Sequence, residues 1–442
     1  MNTKLIKAMS LVGSLSILTG CVNAVPQNVT LPTNNSPAQL SGNTVNLTKE
    51  VQPQNVENPE ISEEQMAQLS QAYLQLINEL NSANEGDNIL ISPFSISMAL
   101  GMTENGANGQ TLSEMEQYAN GGLSSQELNS IMYALSQNMS SSEDVNWNVA
   151  NSIWFNDDGF LSIRDSFLQD VVTYYNPEVF KAPFDNNTTD DINKWVDNET
   201  YGMISKILDK VDPDTKMYLI NAIAFDGEWF EEYSEDDIYE NMTFTNLNGT
   251  TSEVTMMYSD EYKYFVLGNG QGFVKPYKGG EYSFVGILPK EGVTPEEYLN
   301  ELAASGEDFS KAVREASNED VRVGMPEFSF DYYTELGKAY QKMGMTTPFT
   351  EGAADFSKMM ESEDGVNYNV WIGNILHKTH IDVDRKGTKA AAVTVVEMKC
   401  EAVMEVEPNE VKVINLNRPF VYAIVDNNTG MPLFLGCQNT ME

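Results

Sequence analysis

The sequence predicts an α+β fold, built as one large domain that follows a leader and a tether. Three observations lead there. Strand-length and helix-length patterns mix along the chain without strict strand–helix–strand alternation. The C-terminal stretch reads as a hairpin, with strands at Phe420–Val425 and Leu433–Gly436 joined through Asp426-Asn427-Asn428-Thr429-Gly430. No linker-like break interrupts the chain after Ser62. At 442 residues and 41% hydrophobic content, the chain has enough apolar material for one sizeable core.

The elements follow in order. Lys4 and Lys7 precede an apolar run from Ala8 to Leu18, too short to span a bilayer as a helix. Leu18-Thr19-Gly20-Cys21 resembles a bacterial lipobox, in which cleavage leaves a lipidated cysteine as the new N-terminus. Residues 1–20 are therefore expected to be a lipoprotein signal peptide and Cys21 the lipidation site. The plainer alternative is an ordinary secretory signal. Residues 21–61, rich in Asn, Pro, Thr and Val, read as a disordered tether with an r.m.s. reach of roughly 35 Å. The folded part would then stand outside the cytoplasm, lipid-anchored to a bacterial membrane or surface, or be released from it.

Residues 62–442 are expected to form the folded domain. Ser62 and Gln65 form a capping box for an amphipathic helix carrying Met66, Leu69, Tyr73, Ile77 and Leu80 on one side. Asn88–Ser95 ends a short buried strand and starts a helix running to about Thr103, with Pro93 in its first turn. Asn193–Ile204 begins helically and turns at Gly202. Tyr218–Phe225, Ser283–Leu288 and Val321–Pro326 are strand-like, and a helix is expected near Tyr333–Met343.

Composition narrows the function. Lys and Arg total 26 against 65 Asp and Glu, a net charge of −39, and none of the 26 lies between Glu50 and Ile163. Such a surface repels nucleic acid and heparin-like polyanions. Cys21, Cys400 and Cys437 are the only cysteines, too few for a disulfide scaffold and without metal-ligand spacing. A Ser-His-Asp triad would have to use His377 or His380, the only two histidines. His377 alternates with Ile375, Thr379, Ile381 and Val383, a pattern that suits a hydrogen-bonded core residue better than a catalyst. No hydrolase, zinc-protease or nucleotide-binding motif is present, so neither enzyme activity, cofactor nor metal is expected.

Lys386–Val396, K-G-T-K-A-A-A-V-T-V-V, is the stretch that suggests a mechanism. Taken every second residue, Thr388, Ala390, Ala392, Thr394 and Val396 form a face of small side chains able to slide between two strands. Four further segments then appear in a telling order. They are Asn88–Thr111, Leu219–Trp229, Gly344-Met345 with Ala354-Asp355-Phe356-Ser357, and Leu416-Asn417-Arg418-Pro419-Phe420. Together they resemble the landmarks of the serpin family, protease inhibitors that work by loop insertion.

That resemblance implies three β-sheets, a large central one among them, surrounded by eight to nine helices, with an exposed reactive-centre loop at about 385–410. It implies a hinge at Gly387, Thr388, Lys389, Ala390, Ala391, Ala392, Val393 and Thr394. It places Ser92, Ser95, Asn221 and His377 in a polar shutter beneath the central sheet, and Trp229 at the breach near the sheet's top. The implied partner is a serine protease, held as a covalent acyl complex by a monomeric inhibitor. Counting from either end of the loop gives different scissile bonds, so Glu401, Ala402, Val403, Met404 and Glu405 form the window. Ala402, Val403 and Met404 suit elastase-like or subtilisin-like enzymes, and Glu401 a glutamyl endopeptidase. Arg385, Lys389 and Val393 depart from the family pattern. Cys400 would lie beside the window. The alternative is a non-inhibitory serpin acting as a cell-surface binding or carrier protein.

Overall fold

The structure, a computed structural model, describes residues 38–57, 59–84, 86–138, 145–157, 159, 161–200, 202–362, 370–388 and 411–441. The described residues all belong to one compact unit, 34–442. They form nine α-helices and three sheets, of seven, nine and two strands.

The seven-stranded sheet carries the site. Its strands run from edge to edge as Val45–Asn46, Glu178–Ala182, Val145–Asn156, Met217–Glu228, Gly387–Thr388, Asn374–Val383 and Phe328–Glu335. One face packs on a core that contains Leu219, Ile223, Phe225 and Ile375. The opposite face carries Tyr218, Ile220 and Leu376 under a smaller apolar cluster with Ile192 and Trp195 from the helix Asn186–Glu199. The nine-stranded sheet contains the C-terminal hairpin, Phe420–Asp426 with Pro432–Gln438, every residue of which is buried.

The helix Glu63–Ala83 starts at the expected capping box. The short strand Ile89–Ile91 leads directly into Pro93–Glu104, a helix buried along its whole length, with Ser95, Ser97, Thr103 and Glu104 as its buried polar residues. Two expected boundaries move. The helix expected from Asn193 begins at Asn186, because the Asp185 carboxylate caps the N–H groups of Asn187 and Thr188. The helix expected near Tyr333 begins at Leu336, because Phe328–Glu335 pairs residue by residue with Leu376–Val383.

The tether is the larger correction. Residues 38–57 and 59–61, expected to be disordered, lie against the fold instead. Ser41 and Thr44 direct three donors, one backbone N–H and two hydroxyls, at the buried Asp191 carboxylate over 2.6–3.0 Å. Val45–Asn46 pairs antiparallel with Phe180–Lys181 and covers that sheet edge. Leu47, Val51 and Ile61 pack on the main core. Cys21 and the signal segment lie outside the described residues.

Candidate functional site

Two parallel strands define the site by diverging. Asn374–Lys378 pairs with Tyr218–Ala222 in unbroken register. Above that point the two strands continue to Val383 and Glu228, and Gly387–Thr388 occupies the far end of the space between them. Thr388 sits opposite Gly227 on one side and Val383 on the other, and Gly387 sits opposite Glu228. A Cβ built on Gly387 would lie 2.1 Å from the Gly227 carbonyl oxygen, so this approach requires glycine.

Trp229, expected at the breach, and its neighbours hold Gly387–Thr388, where the expected hinge starts. Trp229 is fully buried; its backbone N–H donates to the Lys386 carbonyl at 2.8 Å and its indole N–H to the Asp384 carbonyl at 2.9 Å. Its ring stacks on Tyr277 with 4.7 Å between centroids. The Tyr277 hydroxyl in turn meets the Thr388 hydroxyl at 2.6 Å. Buried Lys275 lies beneath, 2.8 Å from Glu261 and 4.5 Å from the centre of the Tyr233 ring. Arg385, whose family counterpart is acidic, is half-exposed and pairs with Glu235 at 2.9 Å and Glu327 at 3.6 Å.

The four residues expected to form a shutter meet where the paired strands have not yet diverged, and all are fully buried. The Ser92 backbone N–H donates to His377 Nε2 at 3.0 Å, which leaves Nδ1–H to donate to Asn221 Oδ1 at 2.7 Å. The Asn221 amide donates to the Ser95 carbonyl at 2.6 Å and to the Ser95 hydroxyl. It also donates to Asn151 Oδ1 at 2.6 Å. Ser92 Oγ donates to the Leu433 carbonyl at 2.7 Å and accepts from Ser95 N–H at 3.3 Å, capping the buried helix. Burial pushes the His377 imidazole down to about 3, so it is neutral across the physiological range. Sequence reasoning missed Asn151 and Thr379, whose hydroxyl donates to the Leu90 carbonyl at 2.8 Å. A single polar residue on a strand carries no signal of its partner.

This geometry is unsuited to hydrolysis. Both His377 nitrogens are engaged, and Ser92 reaches it through its backbone rather than its hydroxyl. His380 pairs with Asp331 at 2.8 Å, with no serine or cysteine bonded to its ring among the described residues. What the arrangement offers is a pair of diverging strands with Gly387–Thr388 paired between them at the far end. Hinge positions Lys389, Ala390, Ala391, Ala392, Val393 and Thr394, the window Glu401–Glu405, and Cys400 lie outside the described residues.

Residues 67–440 match the family model described as Serpin (serine protease inhibitor). An uncharacterized serpin-like protein of Thermococcus kodakarensis is 31% identical over 82% of this chain and 84% of its own. Intracellular coagulation inhibitor 2 of Tachypleus tridentatus is 29% identical over 80% of this chain and 86% of its own. Among solved structures, the thermophilic serpin tengpin in its native state superposes with a TM-score of 0.82 at 38% identity, over 90% of this chain and 100% of that one. Its latent state gives 0.74 at 36% identity, over 87% and 100%. Thyroxine-binding globulin complexed with thyroxine gives 0.71 at 25%, over 86% and 100%.

Proposed function

The chain belongs to the serpin family, whose members are generally protease inhibitors rather than enzymes, and on that premise we propose that it is an irreversible suicide-substrate inhibitor of serine proteases. The observation that carries this reading is the placement of Gly387–Thr388 between the diverging strands. Extending that ladder sets Ala390 opposite Phe225, Ala392 opposite Ile223, Thr394 opposite Asn221 and Val396 opposite Leu219. Phe225, Ile223 and Leu219 belong to the main core and are buried. The inward positions of the insert are thus small and uncharged where the core is apolar.

The register also sets the order of events. Ala392 is the last inward residue accommodated before Ala222, where the existing pairing with Lys378 begins. Further entry separates Asn221 from His377, so the shutter resists spontaneous insertion and yields only when the whole strand follows. The protease serine oxygen attacks a carbonyl in the window Glu401–Glu405, the peptide bond breaks with release of the amine, and an ester joins loop to enzyme. Insertion of the freed hinge then carries the ester-linked protease away and distorts its active site before water can cleave the ester. New strand pairing and apolar burial drive the movement.

Elastase-like and subtilisin-like enzymes are the proposed targets, from Ala402, Val403 and Met404. A carrier role, as for thyroxine-binding globulin, is the second family option; the small inward face speaks for inhibition. We also propose that Cys21 carries the lipid anchor and that residues 22–37 link it to the docked strap. Mixing the purified protein with elastase and subtilisin should give a complex that survives SDS. Clean cleavage without complex by every protease tested would refute the inhibitory reading.

A further inference from the structure

Two opposite charges are buried beneath the turn that precedes Gly387. Lys275 and Glu261 lie on the neighbouring strands Gly270–Pro276 and Thr251–Leu267, are 2% and 5% exposed, and meet at 2.8 Å. Ser259 Oγ donates to the same Glu261 oxygen at 2.7 Å. The ammonium lies 4.5 Å from the centre of the Tyr233 ring and 5.3 Å from that of Trp229, and donates to the Glu231 carbonyl at 3.4 Å. A buried ion pair adds little stability over apolar side chains of similar volume. Stability alone therefore does not account for two charges in this place.

The two rings beside the ammonium belong to the residues that hold the turn. Trp229 donates its backbone N–H to the Lys386 carbonyl and its indole N–H to the Asp384 carbonyl. The Tyr233 backbone N–H donates to the Arg385 carbonyl at 3.0 Å. Three successive carbonyls, 384 to 386, are thus fixed by two residues that share one cation. The turn also closes on itself. Asp384 Oδ1 accepts from the N–H groups of Lys386 and Gly387 at 2.7 and 3.1 Å, and the Asp384 N–H donates to the Gly387 carbonyl at 3.0 Å. It joins Val383 to Thr388 as the corner of an antiparallel pair. The turn of a hairpin fixes its register, and a slip of one residue would exchange every inward side chain of an entering strand for an outward one.

We propose that Lys275 is a positioning residue for loop insertion. Its ammonium, held by Glu261, fixes the Trp229 and Tyr233 rings, so that the turn Asp384–Gly387 is already formed when the loop is cut. The proposal rests on the inhibitory reading and adds to it the point from which insertion starts. The entering strand lengthens from a preset corner instead of having to form one, which favours trapping over ester hydrolysis.

The test uses the full chain with elastase. Lys275→Met/Glu261→Gln removes both charges at similar volume, so the thermal midpoint of the intact protein should stay near the parent's. Inactivation of elastase at saturating inhibitor should slow roughly fivefold or more, with more inhibitor consumed per protease inactivated. Tyr233→Leu keeps the ion pair but removes the nearer ring face, and should slow trapping in the same way. Tyr233→Phe keeps that face and should match the parent. A role in stability alone would lower the midpoint in step with trapping and would not separate leucine from phenylalanine at position 233. Trapping within about twofold of the parent in both the double variant and Tyr233→Leu would overturn the positioning role and leave inhibition standing. Absence of any SDS-stable complex with the unsubstituted chain would refute the inhibitory reading, and the positioning role with it.

Discussion

Replacing Ala392 with glutamate should convert the protein from an inhibitor into a substrate. With Thr388 opposite Gly227, insertion brings residue 392 opposite Ile223, which is 2% exposed within the main core. The cations at the breach end of the sheet, Lys275 and Arg385, are committed to Glu261 and to Glu235 with Glu327. An unpaired carboxylate in such a site costs several kcal/mol. If about 4 kcal/mol of that cost is felt as the strand enters, insertion slows about a thousandfold. Ester hydrolysis then wins, and the protease is released with the loop cut. Ala391→Lys is the matched control, because residue 391 falls opposite Ala224, on the face shared with Asp226, and not on the core side. The assay is the number of inhibitor molecules consumed per protease inactivated, read alongside the SDS-stable band. Ala392→Glu should consume many inhibitors with little complex, and Ala391→Lys should match the parent. Equal trapping by both variants, or equal loss, would refute the register and the argument built on it.

Two further outcomes concern stability. Burial pushes the Glu104 carboxyl up to about 8 from its ordinary 4.5, followed by a lowering contribution from Asn120 and a raising one from Glu116. Glu104 Oε1 and Asn120 Oδ1 have no partner, so an amide at position 104 can donate where the carboxylate cannot. Between pH 4.5 and 8 the native state binds the extra proton, so its stability should fall as pH rises through that window and level off above it. Glu104→Gln should remove that part of the slope and raise the thermal midpoint at pH 8; an unchanged slope would contradict the assignment. Asp191→Ala should release the strap, since the carboxylate accepts from Ser41 and Thr44. A lower thermal midpoint and earlier proteolysis within residues 38–61 are expected, with a loss of about 2–3 kcal/mol for bonds to a charged acceptor.

Much of the fold was readable because several segments obey one local rule without competition. The capping box at Ser62, the proline after Ser92 and the hairpin at Asp426–Gly430 each specify an end or a turn by short-range chemistry. The shutter was readable only through family resemblance, since Ser92, Asn221 and His377 are far apart along the chain and meet through strand register. The strap was missed because its contacts are made by polar residues that carry no periodic pattern. Ser41, Thr44 and Asn46 look like solvated loop residues until Asp191 and Glu178 are seen to accept from them. The buried Lys275–Glu261 pair gave no warning either, because a charged residue in a sequence does not show which distant partner is buried with it. The helix expected near Tyr333 was displaced because Phe328–Glu335 finds a full-length partner in Asn374–Val383, and pairing across the sheet outweighed local preference.

The central claim is that the sheet stands ready to accept a strand it does not yet hold. Its most direct test is the thermal midpoint of the protein before and after a single cut within Glu401–Glu405 by catalytic amounts of protease, with the mass of the C-terminal fragment confirming the bond. Insertion would extend the two-residue ladder at Gly387–Thr388 through the shutter and raise the midpoint by tens of degrees, as pairing and apolar burial absent from the intact chain are gained. A midpoint unchanged by cleavage would show that the loop stays outside the sheet, and would contradict the account.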